Sequence, residues 1–102
     1  MTMLHTVNKS PLDRTALESC IKHATSGSAI LLIEDGIYGA MKGTHKSGMV
    51  ANAMKDVSFY VMGPDLKARG INESQVIDGI KIVDYSGFVD LAAEHDKTQS
   101  WL

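Results

Sequence analysis

The stretch Ala29–Ile33 reads AILLI and runs directly into Glu34, Asp35 and Gly36. A continuous apolar run of this length has no polar side to turn to water. It therefore suits a strand covered on both faces, the situation of a central strand in a parallel sheet. The two carboxylates and the glycine after it mark the point where the chain leaves the sheet.

Upstream, Met3–Val7 (MLHTV) reads as a second short strand. Between the two, Ser10, Pro11 and Asp13 have the features of a helix start. The serine hydroxyl caps a free N–H, proline suits the first helical position, and the aspartate favours the positive end of the dipole. The expected helix runs from Pro11 to about Thr25 and stops at Gly27.

Downstream, Ile37 to Met41 predicts a short helix before a turn at Gly43. Ser47 is placed to cap another helix that reaches Met54, with Met49, Val50, Ala53 and Met54 at helical spacing. Val57–Met62 (VSFYVM) is rich in β-branched and aromatic residues and reads as a strand. Gly63 and Pro64 break it, and Asp65 to Arg69 makes one helical turn closed by Gly70. Ile80–Val83 (IKIV) is a further strand. Ser86 is the expected cap of a last helix that gathers Phe88, Leu91, Ala92 and His95 on one side. Strands alternating with helices predict an α/β fold with a mainly parallel sheet flanked by helices.

The 102 residues fit one domain, 1–102, with no visible linker, repeat or low-complexity tract. Hydrophobic residues make up 44%, enough for a core, which excludes a disordered chain. Ten basic and twelve acidic residues leave a net charge of −2, with no run of basic residues, so no direct nucleic-acid binding is expected. The start MTMLHTVNKSP has no secretory signal pattern, and no apolar stretch is long enough for a bilayer. A lone cysteine, Cys20, cannot form an internal disulfide. The expectation is a cytoplasmic protein without membrane association.

Cys20 is the one candidate for thiol chemistry. Leu12, Ala16, Leu17, Cys20, Ile21 and Ala24 cover one continuous half of the expected first helix, with Cys20 near the middle. One reading packs it as a small hydrophobe. The other makes it a persulfide-carrying catalytic residue assisted by His23, one turn onward. The pattern favours packing. His5, His45 and His95 share no metal-site spacing, so no metal is expected, and no phosphate-binding glycine pattern occurs, so no cofactor is expected either. Glu34, Asp35 and Gly36 could edge a ligand site but more readily form a turn. In the loop Gly63–Gly70, Asp65 and Arg69 stand one turn apart and can pair or reach outward. A tryptophan as late as Trp101 predicts that the tail docks on this chain or on a neighbour. Met41, Met49, Met54 and Met62 are expected to fill gaps in the core.

The segments LHTVNKSP (Leu4 to Pro11), LLIEDGIY (Leu31 to Tyr38), GPDLKARG (Gly63 to Gly70), VDYSGFVDL (Val83 to Leu91) and QSWL (Gln99 to Leu102) together resemble the DsrH/TusB family. The resemblance spans the whole chain in order. It implies a flavodoxin- or Rossmann-like sheet and a place in a sulfur-relay (sulfurtransferase) heterohexamer beside DsrE/TusD-type and DsrF/TusC-type subunits. Such a complex passes persulfide sulfur to a DsrC/TusE-type carrier. Two settings are implied: 2-thiouridine formation at the tRNA wobble position for TusB-type chains, and intracellular sulfur oxidation for DsrH-type chains. Cys20 matches the cysteine typical of the DsrH branch and favours sulfur oxidation. The principal sulfur-accepting cysteine is expected on the DsrE/TusD-type partner, which makes this chain an accessory subunit.

Overall fold

A computed structural model describes residues 2–102; Met1, the first residue of the start segment considered above, lies outside the described residues. Five strands form one sheet in the order β4-β3-β2-β1-β5. They are β1 (Met3–Val7), β2 (Ala29–Leu32), β3 (Ser58–Met62), β4 (Lys81–Val83) and β5 (Lys97–Trp101). Every pairing is parallel, with Leu4 opposite Ala29, Ala29 opposite Ser58, and Val7 opposite both Leu32 and Trp101. The apolar run that opens the argument is thus the middle strand of five. All four of its residues are buried.

The first four strands step across the sheet in one direction, and their connections lie on one face. That face carries α1 (Ala16–His23), the 3-10 segment Glu34–Ala40, α2 (Ser47–Ala53) and α3 (Gly63–Ala68). Its core joins Val7, Ile30, Leu32, Phe59 and Val61 of the sheet to Leu17, Cys20, Val50 and Leu66 of the helices. The chain then turns back through α4 (Tyr85–Glu94) and adds β5 at the opposite edge. This reversal puts α4 alone on the second face, where Leu91 closes over Leu4, Ala29, Leu31 and Met62. Right-handed crossovers require this division of helices between the faces. Alternate residues of each strand feed the two cores, as the pleat dictates.

Several boundaries differ from expectation. Ser10 Oγ accepts the Leu12 N–H at 3.2 Å, and Ser10 O accepts the Arg14 N–H at 2.9 Å. The serine therefore closes a local turn over Pro11–Arg14, and α1 begins only at Ala16. The last helix is capped by Asp84, whose Oδ1 accepts the Gly87 N–H at 2.8 Å, so Ser86 lies inside the helix rather than at its start. Gly63 and Pro64 end β3 as expected, but the helix expected from Asp65 already starts with them: they are the first turn of α3, where proline's missing N–H costs nothing. β5 was not foreseen at all. Met49, Met54 and Met62 fill core gaps as expected, while Met41 is half-buried and bridges Val76.

Candidate functional site

In an all-parallel sheet the carboxyl ends of the strands share one edge, where ligands collect in folds of this class. Asn8, Glu34, Gly63 and Asp84 follow four of the strands here. Gly36 is wedged against the end of β1: a β-carbon on it would sit 2.1 Å from Val7 O. Glu34 takes a left-handed backbone, φ 49°, and its N–H donates to Asp65 Oδ2 at 2.8 Å. Arg69 extends across to Asp35, donating to its Oδ1 from Nε at 3.2 Å and from Nη2 at 3.1 Å. Of the two alternatives for Asp65 and Arg69, reaching outward is the one realised: Asp65 is engaged by Glu34 and Arg69 by Asp35. The acidic cluster is thus a fastener between the 3-10 segment and α3. At the same edge Asn8 Oδ1 is buried without a hydrogen-bond partner among the described residues.

Cys20 lies on the sheet-facing side of α1 and is 0% exposed. Burial pushes its thiol up to about 12, because a thiolate there would lose its hydration and gain nothing. His23 is engaged by other partners. The His23 ring lies tilted at 41° to the Trp101 ring with centroids 5.7 Å apart, and its Nδ1 donates to Ser19 O at 2.8 Å. In this geometry Cys20 packs among Leu17, Ile30 and their neighbours as a small apolar side chain.

His5 is buried within β1, and desolvation lowers its pKa. Trp101 Nε1 donates to His5 Nδ1 at 3.1 Å, so the C-terminal tryptophan docks on this chain. His95 donates from Nδ1 to Leu91 O at 2.7 Å, and His45 is exposed. Among the described residues, no three His, Cys, Asp or Glu side chains converge as metal ligands. No helix there is long and apolar enough to cross a membrane.

Part of the exposed surface is apolar. Tyr85 and Val89, one turn apart on α4, are 64% and 67% exposed. Ile82 on the open edge of the sheet lines a recess of about 440 Å³ with Gly63, Leu66 and Ile71. Sequence periodicity picked out Phe88, Leu91 and Ala92 as the inward side of α4 but did not single out Tyr85 and Val89. Their i, i+4 spacing, flanking the inward side, was the available signal.

Residues 9–98 match the family described as DsrH like protein. A relative named Protein TusB from Pectobacterium parmentieri is 34% identical over 102 residues, covering 97% of this chain and 100% of that one. Protein TusB of Escherichia coli is 31% identical over 99 residues with the same coverage. Two solved structures share the fold at 14% identity each. The ychN protein from E. coli superposes with TM-score 0.81 over 98% of both chains. A protein of unknown function, MTH1491, from Methanobacterium thermoautotrophicum superposes with TM-score 0.78 over 97% of both. The match across nearly the whole chain, with the fold in agreement, establishes that the chain belongs to the DsrH/TusB family of sulfur-relay subunits.

Proposed function

We propose that this chain is an accessory subunit of a cytoplasmic sulfur-relay complex, supplying surface to its sisters rather than a sulfur-carrying thiol. The observation that carries this reading is the state of Cys20: fully buried, with a thiol pushed far above the range in which a nucleophilic thiolate forms. A persulfide carrier needs access and a lowered pKa, and the chain's one cysteine has neither. The exposed pair Tyr85 and Val89 gives α4 an apolar ridge suited to burial in an assembly. The sisters proposed are of the DsrE/TusD and DsrF/TusC types in a heterohexamer, and the downstream carrier is of the DsrC/TusE type.

Co-expression with these sisters tests the reading. A stable complex, weakened by Val89→Asp while the isolated chain keeps its fold, is the expected outcome. A chain that stays monomeric in their presence contradicts it.

Two settings compete for the pathway. Cys20 favours intracellular sulfur oxidation, while the relatives named TusB favour 2-thiouridine formation in tRNA. Deleting the gene separates them: loss of wobble 2-thiouridine assigns the second, and intact thiolation with impaired sulfur oxidation assigns the first.

A further inference from the structure

β5 is an edge strand with four of its five residues exposed, so little apolar burial holds it to the sheet. Besides its backbone pairing with β1, it is fastened by a Thr6–Ser100 hydroxyl contact at 3.2 Å and by Trp101. Trp101 is the strand's one side chain packed on the core. Its indole N–H can only donate, so His5 Nδ1, 3.1 Å away, must accept. That geometry fixes His5 as the neutral ring with its proton on Nε2. A proton on Nδ1 would set two donors against each other inside the fold.

We propose that His5 and Trp101 form a proton-controlled latch on β5: protonating His5 removes the acceptor of the indole N–H, and the C-terminal strand lifts from β1 while the other four strands stay paired. The release uncovers the backbone edge of β1, a template for an added strand. Among the described residues no side-chain carboxylate forms a hydrogen bond or ion pair with His5. β2 places Ile30 beside it, and β5 places Gln99 opposite, with Lys97 further along the same face. From α1, Cys20 and His23 face the cluster, while Glu18 and Lys22 lie near the opposite side of that helix. Lys9 and Arg14 border the recess next to Trp101. Lowering of the His5 pKa by burial agrees with this arrangement.

Hydrogen exchange read by mass spectrometry, corrected for intrinsic rates, tests the latch on the full chain. Between about pH 7.5 and about pH 5, the range in which histidine titrates, protection of Lys97–Trp101 should fall about tenfold relative to Ala29–Leu32, the scale of one lost hydrogen bond. His5→Asn, which offers an amide oxygen near the Nδ1 position, should hold β5 equally at both pH values. His23→Asn should respond as the natural chain does. Uniform protection across the range overturns the latch, as does a loss that persists in His5→Asn or disappears in His23→Asn. Should His5→Asn fail to fold, Trp101→Phe serves instead. It lacks the N–H and should show weak, pH-independent protection of β5, and a surviving pH response there would also overturn the proposal.

Discussion

Arg69 and Asp35, 34 positions apart, meet with guanidinium Nη2 at 3.1 Å from carboxylate Oδ1 and Nε at 3.2 Å from the same oxygen. The pair joins the segment after β2 to the helix after β3, and so binds two of the stretches that mark the family to each other. Its side chains are 27% and 61% exposed, so solvent screens much of the attraction. Arg69→Ala should destabilise the fold by only about 0.5–1 kcal/mol. Urea midpoints at low and high salt check this, with the difference between the two proteins shrinking at high salt.

Gly36 is a sharper test of the same edge. A methyl group there would strike Val7 O and the neighbouring backbone, which cannot give way as a side-chain tip can. Gly36→Ala should cost about 2–3 kcal/mol. Gly43→Ala is the comparison: its φ is +77° but nothing lies within 4 Å, so only the backbone penalty of about 1 kcal/mol remains. Equal losses in the two variants would refute the close-approach account.

Cys20 should resist alkylation in the folded chain and react rapidly once the chain is unfolded in denaturant. Its folded thiol is raised from 9.0 to about 12, so the folded state holds the proton that the unfolded state releases. The stability this protects is fully present below pH 9.0 and declines as pH rises from there towards 12. Denaturation midpoints across that window should fall for the natural chain and change less for Cys20→Ala. Cys20→Ser should cost about 1–3 kcal/mol by burying a hydroxyl among apolar neighbours.

His5 acts in the opposite pH direction. Its folded pKa lies below 6.5, so the unfolded state binds the proton first as the solution is acidified. Stability is present above pH 6.5 and drains as pH falls through the lowered folded value. Thermal midpoints between about pH 7.5 and about pH 5 should drop more for the natural chain than for His5→Asn.

The legible parts of this fold were those written in apolar patterning. AILLI suited a strand covered on both faces and is one, and the β-branched and aromatic residues of Val57–Met62 read as the strand found at Ser58–Met62. Lys97–Trp101 (KTQSW) was invisible for the same reason: an exposed edge strand needs no apolar alternation, and its pairing with β1 is fixed by α4 crossing the sheet. The start of α1 was misplaced because Ser10 satisfies a turn as readily as a helix. At the site, the packing of Cys20 was readable from its stripe. The partners of Asp35 and Asp65 were not, since they lie 34 and 31 positions away and only the placement of α3 beside the 3-10 segment brings them together. The Trp101–His5 bond spans 96 positions and left no local trace.

Intact-mass spectrometry of the assembled complex, after incubation with a persulfide donor, reads the sulfur on each chain separately. An unmodified mass for this chain, together with added sulfur on a sister subunit, is what a sealed Cys20 in a supporting subunit predicts. A gain of one sulfur atom on this chain, abolished by Cys20→Ala, would contradict it.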